Sequence, residues 1–287
     1  MNDRHLLGYR WHDGAPYLIL RASPAGGEIE RRPLSGVLSL RLDVRRYCLG
    51  PSQGASPESR SPCPDVADLT GTRRRLCHRC ERRWTFRHWL AFDGTEAGRE
   101  RLPPDIQALC ARPYVVYLAG FGASAIKVGI SAEGRKEERL LEQGALLGAV
   151  IARVDGMSAR SLELAIAKLG YPERVRVGSK PATFVSAQAL DELRSRLWSS
   201  LHDLRVRLPS EQVANLQEPE LFDLTPFYGI RALPEEPIAI QVEPGRDVVG
   251  EVVAVRGGSV ALATGSSLLA FHVRRLEGHL VELDLVA

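Results

Sequence analysis

Four cysteines, Cys48, Cys63, Cys77 and Cys80, are separated by fourteen, thirteen and two residues. Four thiolates complete a tetrahedral zinc site, and Cys77-His78-Arg79-Cys80 has the two-residue knuckle spacing that such sites use. In a reducing cytoplasm a structural zinc is expected over disulfides. The plainer reading is four buried or unpaired thiols, since the first half of the cluster has no knuckle of its own. His78 is the reserve ligand, and Cys110 reads as a core residue. Around the knuckle, Arg73 to Trp89 carries seven arginines against one acid, Glu81. Arginine forks bind phosphate and interleaved aromatics stack on bases, so Arg73, Arg74, Arg75, Arg82, Arg83, Trp84 and Arg87 are the candidate nucleic-acid contacts. The competing reading is a charged helix face with Trp84 and Trp89 packed inward.

Composition sets the frame for these groups. With 287 residues, 44% hydrophobic and 25% charged, the chain can bury a sizeable core divided among two or three domains. No apolar run approaches the length of a membrane span, and the stretch after Met1–His5 is too short for a signal peptide, so a cytoplasmic protein without membrane partners is expected. Net charge is only +3, but it is carried almost entirely by arginine; the four lysines are Lys127, Lys136, Lys168 and Lys180. Alternating apolar residues over Leu6–Tyr47, with turns at Asp13-Gly14 and Gly26-Gly27, predict a small antiparallel sheet. The Gly-, Pro- and Ser-rich stretch from Cys48 to Gly71 predicts an irregular loop, held by the metal or partly disordered. Leu190, Leu193, Leu197, Leu201 and Leu204 form one helical stripe behind an N-cap at Ser186, and Val248 onward returns to strands of a small barrel or sandwich. The expected division is residues 1–47 (β sheet), 48–112 (cysteine and arginine module), 113–207 (core), 208–237 (linker) and 238–287 (C-terminal β module).

The core segment reads as two short strands, a helix, a third strand and a second helix. Tyr114–Ala119 and Ala125–Ser131 flank a turn at Gly120-Phe121-Gly122-Ala123, an antiparallel hairpin. Ser131 is expected to cap a helix through Gln143, Val150–Val154 to form the third strand, and Ser158 to cap a helix stopped by Gly170. Thr183-Phe184-Val185 reads as a closing strand. This order, with Val115-Val116-Tyr117 and Lys127-Val128-Gly129 in the two tripeptide positions, resembles the GIY-YIG nuclease superfamily. A closer resemblance is to an uncharacterised branch, the domain-of-unknown-function 2797 family, in which a cysteine cluster precedes the core. There Arg139 and Gln143-Gly144-Ala145 match an arginine followed by Gln-Gly-Ala.

The resemblance implies an α+β fold with a GIY-YIG-like core, an N-terminal zinc-binding β module and a small C-terminal β domain. It further implies that Tyr117 orients or deprotonates water, Arg139 holds the scissile phosphate, and Glu163 ligates a magnesium or manganese ion. Lys127 stands where a second tyrosine is usual; it can bind phosphate but is a poor base. From the residues themselves, Tyr117 also suits a packed strand face, Arg135 rivals Arg139, and Glu163 lies off the stripe Leu162, Ala165, Ile166 and Leu169, which predicts exposure. Three functions follow: a metal-dependent nuclease, of the endonuclease type, or related phosphoryl-transfer enzyme on DNA or RNA; a catalytically silent zinc-containing nucleic-acid-binding protein; or an enzyme that reuses the cleft for a small substrate.

Overall fold

The computed structural model describes residues 3–52, 54, 56–122, 126–174, 186–265 and 267–286. The strand expected at Thr183–Val185 lies outside these residues. In chain order the strands are β1 (Arg4–His12), β2 (Ala15–Ser23), β3 (Gly26–Pro33), β4 (Val37–Arg46), β5 (Pro113–Gly120), β6 (Ile126–Ala132) and β7 (Leu147–Asp155). They continue as β8 (Glu220–Asp223), β9 (Ile238–Ala239), β10 (Asp247–Arg256), β11 (Ser259–Thr264), β12 (Ser267–His272) and β13 (His279–Val286). The helices are α1 (His78–Arg82), α2 (Arg87–Ala91), α3 (Glu96–Glu100), α4 (Pro104–Cys110), α5 (Lys136–Gln143), α6 (Gly156–Lys168), α7 (Ala187–Arg207) and α8 (Ser210–Val213). None is long and apolar enough, among the described residues, to cross a membrane. The fold is α+β, with two compact units: Met1–Phe86 with Ala232–Ala287, and Arg87–Arg231.

The first unit is built on a nine-stranded sheet ordered β3-β2-β1-β13-β4-β10-β11-β12-β9. The strands expected as an N-terminal sheet and those expected as a separate C-terminal barrel or sandwich therefore share one sheet. Pairing explains why: β13 inserts between β1 and β4, and β10 pairs along Val37–Arg41, so each set supplies hydrogen-bond partners that the other lacks. In β4, Leu38, Leu40 and Leu42 are buried while Val37 and Arg41 face solvent, the period-two pattern of a sheet with one covered face. Asp13 and Gly14 both take positive φ, as a two-residue hairpin of matching twist requires.

The second unit carries a four-stranded antiparallel sheet ordered β6-β5-β7-β8. Beyond Pro113 every residue of the central β5 is buried, which its run of Val, Tyr, Leu and Ala makes possible. Several boundaries differ from expectation. Ser131 remains within β6, a turn of 3-10 helix over Glu133–Arg135 intervenes, and α5 begins at Lys136. α6 starts before Ser158 because the Asp155 carboxylate accepts the Ser158 amide at 2.7 Å. β7 is longer than Val150–Val154 because Leu147–Ala149 pairs both β5 and β8. The expected linker contains β8, so part of it belongs to the core sheet. α7 follows its leucine stripe: Ser186 caps it, and all five leucines are buried. Its Leu193 lies against Gly120, where a Cβ would approach within 2.8 Å.

Candidate functional site

The cysteine quartet is assembled by backbone as much as by side chains. Cys77 is the N-cap of α1, and its sulfur accepts the Cys80 amide at 3.5 Å. Cys48 accepts the amides of Cys77 at 3.1 Å and Gly50 at 3.4 Å, a bond that gives the first half of the cluster the turn its spacing did not reveal. Gly50 has a φ of +79°, and a Cβ there would fall 1.9 Å from the Ser61 carbonyl oxygen, so only glycine fits this approach.

All four sulfurs lie within 4.8 Å of one another, with Cys63 to Cys77 at 3.8 Å and Cys63 to Cys80 at 3.6 Å. Zinc–sulfur bonds of about 2.3 Å in a tetrahedron place sulfurs about 3.8 Å apart, so the donor set fits. None of the cysteines is disulfide-bonded. Burial pushes the Cys48 thiol up to about 11 and Cys80 in the same direction, while Cys77, against its own burial, is lowered by the hydrogen bonds it makes with Cys80 and the neighbouring thiols; a cation bound here has to displace the protons of Cys48 and Cys80. These four residues can hold a metal ion such as zinc. Four thiolates around a divalent ion leave two net negative charges, and Arg60, which donates to the Gly50 carbonyl at 3.0 Å, acts on Cys48 as a counter-charge. His78 is exposed, while Cys110 is buried in α4 of the second unit.

The arginine segment divides by exposure. Arg73, Arg74, Arg79, Arg82, Arg83 and Arg87 are exposed, whereas Arg75 and Trp84 are half-buried. Arg74 pairs with Glu81, Arg75 with Glu277 and Arg79 with Asp65. Among the described residues Arg73, Arg82 and Arg83 have no acidic partner. Trp89 is packed inward, its ring centroid 5.2 Å from Tyr114 and 5.9 Å from Phe92. Arg87 begins the second unit.

In that second unit, Tyr117 faces Gly129 across the hairpin, and Lys127 faces Ala119, so Tyr117 and Lys127 share one sheet face. The Tyr117 ring occupies the space above Gly129: a Cβ there would sit 2.6 Å from the hydroxyl. Gln143 donates to that hydroxyl at 2.5 Å, Gly144 closes α5 with a φ of 71°, and Ala145 is buried with its carbonyl bound by Tyr228. Each member of Gln143-Gly144-Ala145 thus has its own structural task. Tyr117 is 1% exposed, and burial raises its pKa; Arg139 and Gln143 work against the shift and Glu163 adds to it. Arg139 lies 3.8 Å from Glu142, while Arg135 is held by Glu138 and Glu142.

Glu163 is 6% exposed, contrary to the helical-period expectation. The reason is Arg160, one turn earlier, whose Nη1 lies 2.5 Å from the Glu163 carboxylate and also pairs with Glu173. Lys127 donates to the Glu173 carbonyl at 3.0 Å and acts electrostatically on Glu163. Arg139 and Glu163 thus both act electrostatically on Tyr117, and Lys127 on Glu163. Arg160 and Glu173 were not read from the sequence; the three-residue spacing of Arg160 and Glu163 was the available signal. The site does not fit a magnesium or manganese ion as it stands, because the Glu163 carboxylate is already matched by cations of the chain. Among the described residues the cysteine quartet is the sole group of three or more metal-ligand side chains gathered around one point.

The structure thus defines an α+β protein with a tetracysteine centre and a tyrosine-centred polar cluster. Residues 94–281 match the family described as a protein of unknown function, DUF2797, and the chain belongs to that family. No curated protein and no solved structure matches it.

Proposed function

We propose that the chain is a zinc-containing nucleic-acid-binding protein whose second unit keeps a GIY-YIG-like core without cutting its ligand. The observation that carries the binding reading is the exposure of Arg73, Arg82 and Arg83 beside the cysteine quartet, with no acid neutralising them among the described residues. Unpaired guanidinium groups on a rigid metal-centred module are poised for phosphate. The core reading is supported by the hairpin, the Tyr117–Gly129 packing and the positions of Arg139 and Glu163 around that tyrosine. Three features oppose turnover: a buried Tyr117 hydroxyl, a lysine at the second tyrosine position, and a carboxylate already paired with Arg160.

The second reading, a metal-dependent nuclease, is favoured by the convergence of Tyr117, Lys127, Arg139 and Glu163, and requires Arg160 to leave Glu163. One experiment separates the two. Labelled single-stranded and duplex DNA and RNA are incubated with the chain across a salt series, with and without magnesium or manganese. Salt-dependent binding without cleavage supports the binding protein; divalent-dependent cleavage that Glu163→Ala abolishes establishes the nuclease; no binding to any of the four ligands removes both.

A further inference from the structure

Arg160 is held from several sides within the second unit. Its side chain is 11% exposed, and its Nε donates to the Phe92 carbonyl at 2.8 Å. Nη1 meets both the Glu163 and Glu173 carboxylates. One edge of the guanidinium is thus fixed to backbone while the other sits between two acids. Lys127 approaches the same pair through the Glu173 carbonyl. Two carboxylates thus face two cations; burial still raises the Glu163 pKa, with Arg160 and Lys127 opposing the shift. A divalent ion added here either leaves a buried excess of positive charge or expels a guanidinium that is also tied to the Phe92 carbonyl.

We propose that Arg160 is a built-in counter-cation that takes the place of a divalent metal beside Glu163 and makes this core metal-free. The proposal rests on the GIY-YIG-like reading of the unit, in which Glu163 is the metal carboxylate. Arg160 acts here as a positioning residue: it fixes the charge and orientation of Glu163 from within the fold. Removing it leaves Glu163 and Glu173 facing the same point with Lys127 as the remaining cation, and a hard divalent ion then has two oxygen donors.

The test is a manganese titration of the zinc-loaded full chain, read by the electron paramagnetic resonance signal of free manganese. Four proteins are compared: wild type, Glu163→Gln, Arg160→Ala and the double variant, with circular dichroism as the folding control. The expected result is identical titrations for wild type and Glu163→Gln, and one added site in Arg160→Ala, at least tenfold tighter than any wild-type binding and abolished in the double variant. A Glu163-dependent manganese site in wild type overturns the proposal, as does a folded Arg160→Ala that gains none. Should Arg160→Ala not fold, the wild-type and Glu163→Gln pair decides alone: equal titrations support the proposal and unequal ones overturn it. Nucleic-acid affinity measured on the same wild-type sample keeps the two readings apart. Absent affinity removes the binding function and leaves the manganese result standing.

Discussion

The two units gather buried ionisable groups in opposite ways. In the first, four thiols converge within 4.8 Å, and burial raises the pKa of Cys48 and of Cys80, so a cation bound from outside has to displace their protons. In the second, the Glu163 carboxylate is equally hidden, but the chain supplies the cation itself through Arg160. The guanidinium groups differ accordingly: Arg160 pairs directly with the Glu163 carboxylate, whereas Arg60 acts on Cys48 through space and donates to the Gly50 carbonyl. The contrast sets an expectation for solution conditions: the quartet should respond to metal supply, the tyrosine cluster to its own internal pairing.

The largest way to break this comparison is to remove the metal. Cys77→Ser, or chelation, is expected to cost the first unit on the order of 5 kcal/mol or more, because structural zinc carries folding free energy directly. Chelator-dependent thermal unfolding followed in both units should show the loss confined to the first; equal loss in the second would erase the distinction. Next in size is Gly129→Ala, expected to destabilise the second unit by about 2–3 kcal/mol, since the new methyl meets the Tyr117 ring on a buried sheet face. In a Tyr117→Ala background the same Gly129→Ala change should cost less than in wild type; an undiminished cost would mean the ring is not what excludes the side chain.

Acid sensitivity sharpens the first half of the comparison. His5 is fully buried on β1, and burial together with Arg21 lowers its pKa to about 4. The unfolded chain binds this proton more readily, so the stabilisation is complete above about pH 6.5 and is lost as pH falls toward 4, up to about 3 kcal/mol. His5→Gln should flatten that limb of the denaturation curve. An unchanged acid limb would show that His5 is not the responsible group. The smallest effect concerns phosphate binding: replacing Arg73, Arg82 and Arg83 by Ala should weaken nucleic-acid affinity and reduce the salt slope on duplex DNA by about 0.9 for each phosphate that is no longer neutralised. An unchanged slope assigns these arginines to the surface alone.

What the sequence made legible follows the same divide. Cysteine spacing encodes a metal site locally, through a knuckle and a glycine-rich loop, and the quartet was readable without the fold. The hairpin β5-β6 and the leucine stripe of α7 were equally legible, because apolar periodicity is a local signal. The strand β8 was not: four residues between polar, proline-bounded turns alternate between half-buried and exposed, and only pairing with β7 identifies them. Nor was the burial of Glu163, since helical period places it outside the apolar stripe and its concealment depends on Arg160 and on Glu173 beyond the helix. The single sheet shared by the two ends of the chain is a long-range pairing that no local pattern announces.

Elemental analysis tests the comparison most directly. Wild type, Cys77→Ser and Glu163→Gln are purified, exposed to manganese and gel-filtered, and their metal content is measured. The account predicts one zinc per chain and no retained manganese in wild type and Glu163→Gln, with zinc falling well below one in Cys77→Ser. Wild type with little zinc, Cys77→Ser with undiminished zinc, or manganese retained by wild type and absent from Glu163→Gln would contradict it.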